Sequence, residues 1–164
     1  MLALKTNPAD NEAHEDNSII VSWSENLSVG IELIDNQHKN LVAMTNQLFQ
    51  ACTRGGDKRE AVFKETMSRM VEYIRVHFAT EQELFQRINY PQQAAHKKEH
   101  DKLIVEVIDS SKEYGDGNKN VANKFVVSMR DWVFSHIAHS DKMYAIYISE
   151  QKKKGLLKDK DIEQ

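Results

Sequence analysis

The 164-residue chain carries 22 basic and 25 acidic residues, a formal net charge of −3, and no basic stripe that would point to a nucleic-acid partner. Six glycines and two prolines are too few for a turn-rich all-β fold. Apolar runs such as Ile19-Ile20-Val21 are far too short for a transmembrane helix.

The first element in chain order is a polar arm over about residues 1–18, expected to be flexible because it has little apolar surface to bury. Its acidic residues Asp10, Glu12, Glu15 and Asp16 leave no apolar stretch for a secretory signal. The single cysteine, Cys52, excludes an internal disulfide framework. Together these features predict a cytoplasmic protein. An irregular stretch then runs to Gly30. Breaks at Gly55-Gly56, Asn89-Tyr90-Pro91 and Gly115 with Gly117 divide the remainder into segments of about 34–53, 58–87, 92–114 and 119–150. Short loops between long helices favour antiparallel neighbours. The expectation is therefore an all-α, up-down-up-down four-helix bundle over about residues 19–150 with an irregular N-terminal arm. The charged tail, about 151–164, contains Lys152-Lys153-Lys154 and is expected to extend or fray from the last helix.

Each helix carries an inward stripe with steps of three and four. The second reads Phe63, Met67, Met70, Ile74, His77, Glu81, Leu84, Ile88. The first reads Ile34, His38, Leu41, Thr45, Leu48, Cys52. The third gives His96, His100, Leu103, Val107, and the fourth Val121, Phe125, Met129, Trp132, His136. Met67, Met70, Met129 and Trp132 read as plain core. Five of the seven histidines thus face the bundle axis together with a glutamate. One buried histidine is ordinarily satisfied by hydrogen bonds. Five are not, because each unpaired buried polar group costs about 1–3 kcal/mol and a whole domain is stable by only about 5–15 kcal/mol. A compensating cation is required. His77 with Glu81 and His96 with His100 are i, i+4 pairs, about 40° apart around a helix, so each pair can chelate from one face. His136 and Asp141 complete a set of five imidazoles and two carboxylates, too many for one ion and suited to two bridged ions. Imidazole with carboxylate accommodates iron, zinc, copper or nickel. Residues five apart on an ideal α-helix point about 140° away from each other. The fourth helix is therefore predicted to contain a wide, π-type turn between His136 and Asp141.

Several motifs carry a family resemblance. They are Trp23, Leu27 and Gly30 followed by Ile34-Asp35-Asn36-Gln37-His38; His77-Phe78-x-x-Glu81; Tyr90-Pro91 with His96-x-x-x-His100; and Trp132-x-x-x-His136-Ile137 with Asp141. Over about residues 20–145 the chain resembles the hemerythrins, in particular the single-domain bacterial ones. The resemblance implies a non-haem di-iron centre. One iron would be held by His96, His100 and His136. The other would be held by His38 and His77 and keep an open position. Glu81, Asp141 and an oxo or hydroxo group would bridge them. It implies reversible O2 binding for carriage, storage, delivery or sensing, with O2 as the partner and an unidentified protein recipient left open, and no catalytic residue. Five neutral imidazoles stabilise Fe(III) but support higher oxidation states poorly, which suits a carrier. Phe78, Trp132 and Ile137 would shield such a site from water. The competing reading is an enzyme that reduces peroxide or NO, or repairs iron clusters, at the same centre. His139 falls to the surface or the outer rim of the site, and His14 to solvent.

Overall fold

The computed structural model describes residues 19–54 and 59–163. The arm over 1–18, with His14, and the Gly55-Gly56 break lie outside the described residues. Three helices follow one another: α1 (Glu32–Arg54), α2 (Arg59–Ile88) and α3 (Gln93–Gly115). The fourth rod starts as α4 (Val121–Trp132), passes through a π-helical stretch (Val133–Asp141) and continues as α5 (Lys142–Lys153). Helices α1 and α3 each pack on α2 and α4, which is the neighbour pattern of an up-down-up-down bundle. Among the described residues no helix is long and apolar enough to cross a membrane.

The inward stripes behave as their spacing dictates. All eight positions of the α2 stripe are buried, as are Ile34, His38, Leu41, Thr45 and Leu48 on α1. Cys52 and Trp132 are only half-buried. The core divides in two. Leu41, Phe63, Met70, Leu103, Phe125 and Met129 belong to the larger cluster. Ile34, Leu84, Phe85, Ile88, Tyr144 and Ile148 belong to the other. Along α1, α2 and the fourth rod the buried histidines and carboxylates fall where one cluster gives way to the other, so apolar side chains lie above and below the polar groups.

The termini of the bundle explain themselves locally. The stretch before α1 is pinned by Asn46, whose Oδ1 accepts from Ile20 N and Val21 N at 3.0 Å and whose Nδ2 donates to Val21 O at 2.8 Å. Asp35 accepts from the Ser28 hydroxyl at 2.6 Å and from Val29 N at 2.7 Å, which fixes the turn at Gly30. Asn89 ends α2 with φ 51°, a left-handed conformation that asparagine tolerates better than most residues. Beyond α5 the structure departs from the expected extended tail. Gly155 adopts φ 70°, Leu156 N bonds Gln151 O at 2.9 Å, and the chain doubles back. A short 3-10 turn (Asp159–Asp161) then delivers Ile162, 7% exposed, into the cluster around Ile34 and Leu84. The alternating lysines and acids of this segment conceal two apolar anchors, the buried Ile162 and the partly buried Leu157.

Candidate metal centre

Four rods contribute seven polar side chains to one layer of the core. Helix α1 supplies His38, α2 His77 and Glu81, α3 His96 and His100, and the fourth rod His136 and Asp141; none is more than 5% exposed. The last pair meets because the rod is π-helical from Val133 to Asp141. Hydrogen bonding from i to i+5 makes residues five apart near neighbours on one face. The expectation of a wide turn is met by nine residues of it.

The donor atoms converge. Glu81 Oε2 lies 3.1 Å from His100 Nε2, 3.4 Å from His96 Nε2 and 3.7 Å from His77 Nε2. Asp141 Oδ2 lies 3.2 Å from His38 Nε2, and its Oδ1 lies 3.3 Å from His96 Nε2 and 3.2 Å from His136 Nε2. His100 Nε2 and His136 Nε2 face each other at 2.9 Å. Most of these approaches are not aligned as hydrogen bonds. Among the described residues, both ring nitrogens of His38, Nε2 of His77 and of His96, Glu81 Oε2 and both oxygens of Asp141 are buried without a hydrogen-bond partner. Left so, each would cost about 1–3 kcal/mol.

Burial dominates the protonation states. It lowers the basicity of His38 and His100 and holds His77 at about 3 and His136 at about 2, so these rings are neutral at pH 7. Burial acts on His96 in the same sense, but Glu81, Asp141 and Glu99 outweigh it and raise that ring. Burial also opposes ionisation of both carboxylates. The imidazoles around Glu81 overcome it and hold Glu81 well below the ordinary range, whereas Asp141, facing the Glu81 charge as well, is pushed well above. Four neutral imidazoles, a more basic fifth and two carboxylates that resist sharing one space form a cluster that could hold a cation.

Outer partners aim the rings. Gln37 Oε1 accepts from His77 Nδ1 at 2.8 Å, and Gln37 Nε2 donates to Thr80 Oγ1 at 3.1 Å, which fixes the amide. Glu99 Oε2 accepts from His136 Nδ1 at 2.7 Å. In both cases Nδ1 carries the proton and Nε2 is left as the lone pair facing the cluster. The Tyr144 hydroxyl donates to Glu81 Oε1 at 2.8 Å, turning Oε2 toward the histidines. Aromatic rings lock the imidazoles in place. Phe78 lies flat on His100 with centroids 3.5 Å apart, and Trp132 lies on His136 at 4.3 Å. Trp132 is thus a wall of the site, the shielding position expected of it, although its place on the apolar stripe alone reads as core. Sequence reasoning assigned no role to Gln37, Glu99 or Tyr144. A polar residue beside each inward histidine, and a tyrosine three residues after Asp141, are the signals that could have found them. His139 is exposed at the mouth of a cavity of about 220 Å³ with Glu99 and His96 on its wall.

Two groupings stand out as able to hold an ion, their donor atoms within 4.8 Å of one another: Glu81 with His96, His100 and His136, and Glu81 with His38 and His77. The model of the hemerythrin HHE cation binding domain matches residues 29–147. The chain belongs to the hemerythrin family. It is 32% identical over 126 residues to a bacteriohemerythrin of Stenotrophomonas maltophilia, covering 77% of this chain and 80% of that protein. It is 33% identical over 138 residues to a bacteriohemerythrin of Pseudomonas aeruginosa, covering 84% and 87%. A solved wild-type hemerythrin superposes with a TM-score of 0.69 at 28% identity, covering 77% of this chain and 95% of that one. Hemerythrins are generally O2-binding proteins with a non-haem di-iron centre, not enzymes. The donor chemistry of this hemerythrin domain, with its orphaned buried nitrogens and oxygens, fits such a centre.

Proposed function

We propose that the chain binds O2 reversibly at two iron ions. His96, His100 and His136 would hold one ion and His38 and His77 the other, with Glu81 and Asp141 shared between them. The observation that carries this reading is that two buried donor groupings share one carboxylate, Glu81. The ion with two imidazoles has fewer protein ligands than its neighbour, so it is the one with room for a guest. When bound, the iron pair lends two electrons to O2 and recovers them on release.

The chain's own residues do the rest. Gln37 and Glu99 keep Nε2 of His77 and His136 free to bind metal. Tyr144 holds one oxygen of Glu81, so the other can reach both groupings. Phe78, Trp132, Val133 and Ile137 surround the layer with apolar surface, limiting the water that would drive irreversible oxidation. A histidine-rich set of neutral donors favours the ferric state without supporting further oxidation. The carrier would work in the cytoplasm, delivering O2 to a recipient or reporting it.

The test is to reduce the iron-loaded protein without oxygen, admit O2, and purge with argon while following the charge-transfer bands. Recovery of the colourless reduced form over several cycles is the expected result. A single irreversible oxidation, or sustained turnover when an electron donor is added, would replace the carrier reading with an enzymatic one.

A further inference from the structure

Among the described residues, Tyr73 is the one tyrosine whose hydroxyl is buried without a hydrogen-bond partner. It sits on α2 one turn before His77, and its ring stacks on that imidazole with centroids 5.2 Å apart and planes 20° apart. Its hydroxyl oxygen is buried and makes no hydrogen bond. Tyr144, the other tyrosine beside the carboxylates, is satisfied on Glu81. Phenylalanine would keep the stack on His77 without stranding a hydroxyl, so the oxygen is a cost to the metal-free fold that the ring does not need.

The location suggests what offsets that cost. Tyr73 packs against the apolar cluster that contains Leu41, Met70, Phe78 and Ile137. Stacking sets it on the His77 side of the centre, where His38 meets His77 edge-on at 4.9 Å. That is the side with two imidazoles. A phenol keeps its proton at neutral pH, so this buried hydroxyl has a hydrogen bond to give to a guest that presents an acceptor.

We infer that the Tyr73 hydroxyl donates a hydrogen bond to the small guest, O2 or an anion, bound at the ion held by His38 and His77. The inference rests on the two-ion reading of the site. It makes Tyr73 a specificity-determining residue: it favours guests that present an acceptor and slows their escape.

Azide is the probe, added to the oxidised, iron-loaded wild type and to Tyr73→Phe, with iron content measured in both. The expected result is azide binding weakened about ten-fold or more in the variant, as for loss of a hydrogen bond to a charged acceptor. The azide stretching frequency in the infrared should shift at unchanged iron content. The melting temperature of the metal-free variant should equal or exceed that of the wild type. Equal azide affinity in the two proteins overturns the inference while leaving the two-iron site intact. A lower melting temperature in the metal-free variant overturns it too, because the hydroxyl would then be serving the fold. A wild type whose iron does not respond to azide defeats the two-iron reading, and this inference with it.

Discussion

Replacing Glu99 separates a residue that aims a metal ligand from one that merely adds a hydrogen bond. Glu99 Oε2 accepts from His136 Nδ1 at 2.7 Å, although the glutamate side chain is 43% exposed. Outer partners of this kind are worth about 10–100-fold in metal affinity. Glu99→Gln keeps an acceptor and removes the charge, so it belongs at the low end, about ten-fold or 1.4 kcal/mol. Glu99→Leu removes both, about a hundred-fold or 2.7 kcal/mol. Metal that binds only the native state transmits a loss of affinity directly to stability. At about 2–4 °C per kcal/mol for a chain of this size, Glu99→Leu lowers the melting temperature of the iron-loaded protein by about 5–11 °C. Without metal the same change costs only the stranding of the buried His136 Nδ1–H, about 1–3 kcal/mol, and the loaded form bears the loss of metal affinity in addition. Calorimetry of both forms supplies the comparison. Equal shifts with and without iron would refute the argument and reduce the pair to an ordinary hydrogen bond.

Three further outcomes follow from the geometry. Glu81→Ala should lose metal and melt earlier than the loaded wild type, because Glu81 belongs to both donor groupings; unchanged metal content and melting temperature would remove it from the ligand set. The metal-free protein should lose stability as pH falls from about 6.5 toward 4. His38, His77, His100 and His136 are depressed when folded, so the unfolded chain binds more protons there, whereas the raised His96 and Asp141 act in the opposite sense and are outnumbered. Urea titrations at several pH values in the presence of a chelator check the sign, and a flat or inverted profile would contradict it. Ile162→Ala should destabilise both forms equally by about 2 kcal/mol, the low end for a buried aliphatic at the edge of a core. No effect would mean the returning tail is not anchored there.

The bundle was legible because its code is local. Period-3.5 stripes on four segments, with breaks at Asn89-Tyr90-Pro91 and Gly115, fixed which faces are buried, and histidines recurring on those faces marked the candidate site. The His136-Asp141 spacing even exposed the departure from α-helical geometry. The failures share one physical cause: they depend on which atom meets which across elements. Gln37 and Glu99 reach ring nitrogens on other helices, 40 and 37 positions away, a relation that no single-helix period encodes. Ile162 lies beyond a run of lysines and acids, and the left-handed turn at Gly155 brings it, with Leu157, back to the core.

The most direct measurement of the central claim is an anaerobic titration of the metal-free protein with Fe(II), followed by its optical and thermal response. Uptake should saturate at two ions per chain, with Glu81→Ala falling short of that value. Saturation of the wild type at one ion, with Glu81→Ala behaving identically, would contradict it.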